Sequence, residues 1–323
     1  VYNLTIEDGL NCTETFSITV TQPDNFTIDP IFSAYPGGWN VSCFSYSDGS
    51  IDVDVSDVAL PIQYSWNFNG SEISTDTSLN DVVAGVYELI ITDANNCIEN
   101  RFYTLDQPDS IIIDFDAFED VFGNSISCFG GADGELTALI SGGSPSYTWL
   151  WTFPDNSTSS DELIQDLSEG IYSLNINDIN GCIGFDSVFV SQPDSLSISL
   201  MSPDSNGYNI TCFNGNDGNI ITTVSGGTPP FLFQWVYPGG GIGSTDQNPG
   251  ALQAGTYILL LTDAYGCTAT DTITLVSSDA INNTTMISDY NGYAVPCAGD
   301  SLADLEIIPS GGTPPYNVVW LSL

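Results

Sequence analysis

The chain has no histidine, no lysine and a single arginine, Arg101, among its 323 residues. Each absence removes a class of chemistry. Without histidine there is no Ser-His-Asp triad, no Cys-His pair and no imidazole zinc site. Without lysine there is no Schiff base and no phosphate-gripping loop lysine. One arginine cannot form the cationic cluster that grips nucleic-acid phosphates, nor can it attract an anionic membrane surface. No run of apolar residues approaches the eighteen or so that a membrane-spanning helix needs, and no signal peptide opens the chain. Neither an enzyme, a nucleic-acid binder nor a membrane-inserted protein is expected.

What is present is acidic and apolar. Forty-one Asp and Glu give a formal net charge of −40, while hydrophobic residues make up 42%, enough for packed cores. Such a chain stays soluble, repels itself and attracts cations. Its Val, Ile, Leu, Phe, Tyr and Trp are too plentiful and too evenly spaced for a disordered acidic tail.

The even spacing is a repeat. Tyr2, Tyr87, Tyr172 and Tyr257 are 85 residues apart, and Trp66, Trp151, Trp235 and Trp320 keep the same period to within one residue. Cysteines stand at 12, 43, 97, 128, 182, 212, 267 and 297. These series divide the chain into the C-terminal part of a repeat (1–26), three complete repeats (27–111, 112–196 and 197–280) and the N-terminal part of another (281–323). It reads as a piece of something longer.

Inside a repeat, apolar residues alternate. Leu136, Ala138 and Ile140 share one face, as do Tyr147, Trp149 and Trp151, and Tyr172, Leu174 and Ile176. Period-two alternation, punctuated every ten or so residues by Gly, Asp, Asn and Pro, predicts all-β, tandem immunoglobulin-like β-sandwich repeats. The stretches "TQPDN", "DQPDS" and "SQPDS" predict joints of two or three residues, and hence a rod. The Gly-x-Tyr before each of Tyr87, Tyr172 and Tyr257 resembles the tyrosine corner of such sandwiches, so these tyrosines and the tryptophans are expected in the core.

Eight cysteines in register, with no histidine to share a metal, point to disulfides and an oxidising, extracytoplasmic compartment. Two registers are open. One pairs Cys43–Cys97, Cys128–Cys182 and Cys212–Cys267 within repeats, leaving Cys12 and Cys297 to partners outside the fragment. The other pairs neighbouring cysteines across repeat boundaries. Loop entropy does not separate them, at about 4.2 against about 3.7 kcal/mol. The final strand of a repeat carries the chain roughly 25 Å away from the turn holding Cys182, beyond disulfide reach of Cys212, so the intra-repeat register is expected.

Two aspartate series recur with the cysteines: Asp48, Asp133 and Asp217 in "DG" pairs, and Asp8, Asp93, Asp178 and Asp263 four residues before a cysteine. Turn chemistry accounts for both. The sharper reading is calcium held by Asp48, Asp93, Asp133, Asp178, Asp217 and Asp263, with linker residues Asp109 and Asp194 assisting. Asp300 breaks the first series by standing three, not five, residues after its cysteine. Trp39, Tyr208 and Tyr293, each four residues before a cysteine, could stack on a glycan or pack at a joint between repeats.

The combination of "SCFGGADG…SGGSPSYTW", "L-x-x-G-x-Y-x-L-x-I-x-D-x-x-G-C" and a closing "QPDS" resembles the SprB-type repeat of very large Bacteroidota cell-surface adhesins. The resemblance covers essentially the whole chain. It implies export by type IX secretion, display on the bacterial outer-membrane surface, and attachment and gliding motility, often through polysaccharide. The expected role is therefore a repetitive adhesin stalk, with partners in the secretion and motility machinery lying outside this segment. Two alternatives stand beside it: repeats that are themselves glycan-binding modules, and an accessory array on a secreted enzyme.

Overall fold

The structure is a computed structural model that describes all residues except 23–24, 118, 120–122, 300–302 and 322–323, so Asp300 lies outside the described residues. Every regular element among the described residues is a β-strand, and no helix is long and apolar enough to cross a membrane. The chain divides into two compact units. One comprises Val1–Asp116, Leu136–Ile164 and Ile171–Val188; the other comprises Ala117–Glu135, Gln165–Gly170 and Phe189–Leu323.

A hairpin comes first, β1 (Tyr2–Glu7) with β2 (Thr13–Ile18), and then seven strands: β3 (Thr27–Phe32), β4 (Gly49–Ser56), β5 (Gln63–Phe68), β6 (Ser71–Ser74), β7 (Ser78–Val82), β8 (Gly85–Thr92) and β9 (Ile98–Leu105). They form two antiparallel sheets, β3-β4-β7 and β6-β5-β8-β9. That division of seven strands is an immunoglobulin-like sandwich. Residues 112–190 repeat it, with a three-stranded sheet (Ile112–Ala117, Gly134–Ser141, Leu163–Leu167) and a four-stranded one (Thr158–Ser159, Thr148–Thr152, Gly170–Asn177, Ile183–Val190). Residues 197–275 repeat the four-stranded sheet through Ile242–Ser244, Leu232–Val236, Gly255–Thr262 and Thr268–Leu275.

The alternating side chains meet between the sheets. In the first sandwich Ile51, Val53, Leu79, Leu89, Ile91 and Leu105 close around Trp66 and Tyr87. Trp66, Trp151 and Trp235 are fully buried, and each indole N–H donates to a backbone carbonyl ten or eleven residues on: Asp76 (3.0 Å), Asp161 (3.0 Å) and Asp246 (2.9 Å). The tyrosine corner is present, with the Tyr87 hydroxyl donating to the Val83 carbonyl (2.7 Å) and that of Tyr257 to Gln253 (2.8 Å). Tyr2, Leu4 and Ile6 hold the sequence positions of the buried Tyr87, Leu89 and Ile91 but are exposed in their two-stranded hairpin, as is Trp320.

The joints differ from the sequence expectation. Six residues in no strand, not two or three, separate Leu105 from Ile112 and Val190 from Ser197. They are nevertheless tied from both sides. The Asp106 carbonyl accepts the N–H groups of Asn40 and Val41, while the Asp109 carbonyl accepts Gly143 N–H (2.8 Å). In the next joint Ser191 accepts Ser125 and Ile126, and Asp194 accepts Gly227 (2.9 Å). Gly142 and Gly226 have positive φ, and a side chain at either would strike the linker carbonyl of Ser110 or Ser195, which is why the repeat carries "SGG" there.

Candidate functional site

Each repeat presents a cysteine at both ends of its sandwich. The loop after β3 carries Cys43 and lies against Asp106, at the end where β9 finishes. Cys97 sits in the turn between β8 and β9, at the end where β9 begins. Eight residues of strand separate the two ends, about 26 Å, against the roughly 7 Å between Cα atoms that a disulfide allows.

That distance overturns the intra-repeat register. Cys43 bonds to Cys182, not to Cys97, and Cys128 bonds to Cys267, not to Cys182; Cα separations are 5.6 and 5.7 Å, and both bonds span 139 residues. The first cysteine of one repeat is joined to the second cysteine of the next. Cys212 is therefore not paired with Cys267. Cys12, Cys97, Cys212 and Cys297 are exposed thiols. The strand length that excluded a Cys182–Cys212 bond also excludes Cys128–Cys182, because the two cysteines of a repeat close opposite ends of the sandwich.

The aspartates build the two halves of this joint. Asp178 Oδ1 accepts the N–H groups of Asn180 and Cys182 (both 2.9 Å), and its Oδ2 accepts Ser144 N–H (2.8 Å). Asp263 repeats the arrangement with Tyr265, Cys267 and Thr228, all at 2.9 Å. Asp93 and Asp8 hold the corresponding turns before Cys97 and Cys12. On the other half, Asp217 accepts Thr211 N–H (3.2 Å) and hydroxyl (2.6 Å), Asp133 accepts Ser127 N–H (3.1 Å), and Asp48 accepts both groups of Ser42.

These carboxylates fit turns, not calcium. Their oxygens face N–H donors, and among the described residues no three Asp, Glu or Cys side chains gather as a metal-holding group. Asp109 and Asp194 enter the joint through their backbone carbonyls. EDTA is expected to leave the melting temperature unchanged, whereas Asp178→Ala, which strands three N–H groups, is expected to cost about 3 kcal/mol or more. A calorimetric scan of both samples checks this.

The Thr211 hydroxyl, followed by its N–H, holds the Asp217 carboxyl below the ordinary aspartate range. A depressed folded pKa means that the unfolded state binds the proton more readily. The stability it supplies is present above about pH 4 and is lost as pH falls through the folded value. Wild type is thus expected to exceed Asp217→Asn in urea midpoint at pH 7, and the gap should close below pH 4. Comparing the two chains at each pH removes most of the effect of self-repulsion, since they differ by a single carboxylate.

Sequence reasoning missed two polar contributors. Gln107 Oε1 accepts Ser45 N–H (2.9 Å) and Gln192 Oε1 accepts Gly130 N–H (2.6 Å), so the glutamine of "QPD" ties each linker to the cysteine loop behind it. The Asn180 amide donates to Ser144 Oγ (2.8 Å) and to the carbonyls of Pro36 and Ser42 (both 3.2 Å), seating the turn of one repeat on the loop of the one before. The recurrence of Gln22, Gln107 and Gln192 was the available signal. Trp39 is half-buried beside this joint, where a side chain on Gly37 would strike its indole and lie 3.2 Å from Ser144 Oγ. Tyr208 is half-buried in the equivalent tight turn, and Tyr293 is exposed.

The family model of the SprB repeat matches residues 40–71, 124–156 and 208–239, three tandem positions that support a SprB-type repeat region, each match running from the cysteine loop past the core tryptophan. No curated protein matches significantly. Among solved structures, the chain is similar to immunoglobulin domains 1–5 of Sidekick-1 (13% identity, TM-score 0.34) over 79% of its own length and 60% of that chain. It is also similar to domains A168–A170 of titin (12%, 0.27; 78% and 100%) and to a tetra-tandem repeat from the extending region of a large adhesion protein (15%, 0.28; 75% and 73%).

Proposed function

We propose that these SprB repeats are a stalk segment of a secreted cell-surface adhesin, spacing its adhesive parts from the cell. The observation that carries this reading is the covalent joint: each bonded repeat is fixed to its neighbour, a provision that a spacer needs and a string of independent binding modules does not. The disulfides suit an oxidising compartment outside the cytoplasm. The acidic surface suits a chain that must stay soluble there. In this reading the parent protein is exported by type IX secretion, displayed on the outer membrane, and used for attachment and gliding. Its polysaccharide contact and its contacts with the motility machinery belong to other segments.

Polysaccharide co-sedimentation of the 323-residue chain tests the assignment. The expected result is no saturable retention. Saturable retention that is lost in Trp39→Ala and Tyr208→Ala would move adhesion into the repeats themselves.

A further inference from the structure

The two disulfides overlap. Cys43–Cys182 and Cys128–Cys267 each close a loop of 139 residues, and the stretch from Cys128 to Cys182 belongs to both loops. We propose that this overlap makes an array of such repeats a fail-safe tension strap, in which disulfides and the short strands between them carry pulling force past the folded repeats. In the present chain the body of the second repeat, between Cys128 and Cys182, stays in the route while both bonds hold. The proposal rests on the stalk reading only for its setting; the mechanics follow from covalent connectivity.

Consider the chain pulled from its ends. Tension follows the shortest covalent route, which runs from Val1 to Cys43, across to Cys182, back along the shared stretch to Cys128, across to Cys267 and on to Leu323. That route contains roughly 150 residues, so extension stops near ~530 Å, against ~1,130 Å for the reduced chain at about 3.5 Å per residue. Breaking either bond alone leaves a route of roughly 180 residues, a lengthening of only ~110 Å. The remaining bond still shields its whole loop.

The shielding also extends forward. From Cys182 the chain reaches Cys212 through the strands Ile183–Val190 and Ser197–Met201, which are already extended backbone. Cys212 occupies in its repeat the position that Cys43 and Cys128 occupy in theirs, and Cys97 the position of Cys182 and Cys267. In an array with further repeats on either side, the same rule pairs Cys12 and Cys97 with first cysteines upstream, and Cys212 and Cys297 with second cysteines downstream. Every joint is then bridged, and successive loops overlap.

Force-clamp extension of the full oxidised chain, followed by a thiol reductant, tests the strap on molecules already stretched, so refolding plays no part. The expected trace is a plateau, a first step of ~110 Å and a second, about four times larger, of ~490 Å. Equal steps of roughly 54 residues, ~190 Å each, would mean separate loops within repeats and would overturn the proposal. So would a plateau at full contour length before reductant is added. Neither result depends on whether the chain binds polysaccharide, so the strap and the stalk reading fail separately.

Discussion

Replacing Cys43 and Cys182 together by serine is expected to destabilise the unit that holds them by about 5 kcal/mol, whereas Cys97→Ser should change stability by less than about 0.5 kcal/mol. The large figure reflects the denatured chain, in which a bond closing a 139-residue loop removes much conformational freedom. The small one follows because Cys97 is an exposed thiol with no disulfide partner among the described residues. Intra-repeat pairing would make Cys97 and Cys43 equivalent, so the contrast discriminates better than either number. Urea unfolding without reductant measures both variants.

The second large effect lies in the sandwich core. Trp66→Ala is expected to cost about 3–5 kcal/mol, since it empties the largest fully buried site of the first repeat and leaves the Asp76 carbonyl without its indole donor. Trp66→Phe should recover part of that loss, filling most of the space while still leaving the carbonyl unpaired. Trp320→Ala, at the equivalent sequence position but 58% exposed, should stay within about 0.5 kcal/mol of wild type. Thermal melts of the three variants give the ranking, and equal losses at Trp66 and Trp320 would contradict the core assignment.

These two expectations show what was legible in the sequence. The tryptophans, the tyrosine corner and the alternation of Leu136, Ala138, Tyr172, Leu174 and Ile176 are local facts, because a strand buries every second side chain whatever lies around it. The fold follows from them directly. Disulfide partnership is not local: it depends on which end of the sandwich each loop closes, and each antiparallel strand swaps ends. Five strands, β4 to β8, lie between the Cys43 loop and the Cys97 turn, and an odd number puts them at opposite ends. Two of the five, β6 and β7, are short and polar ("SEIS", "SLNDV"), with too little alternation to be counted from sequence.

The aspartates were half legible for a related reason. A recurring Asp four residues before a cysteine marks a turn, and the turns are there. What each second oxygen accepts, Ser144 N–H for Asp178 and Thr228 N–H for Asp263, comes from residues more than thirty positions away. The same holds for Gln107 and Gln192, which act across 62 residues.

Peptide mapping of the unreduced chain by mass spectrometry distinguishes the cross-repeat disulfides from pairing within repeats. Cross-linked peptides joining Cys43 to Cys182 and Cys128 to Cys267, with Cys97 and Cys212 recovered as thiols, are the expected result. Peptides joining Cys43 to Cys97, or Cys182 to Cys212, would contradict the cross-repeat joint and with it the tension strap.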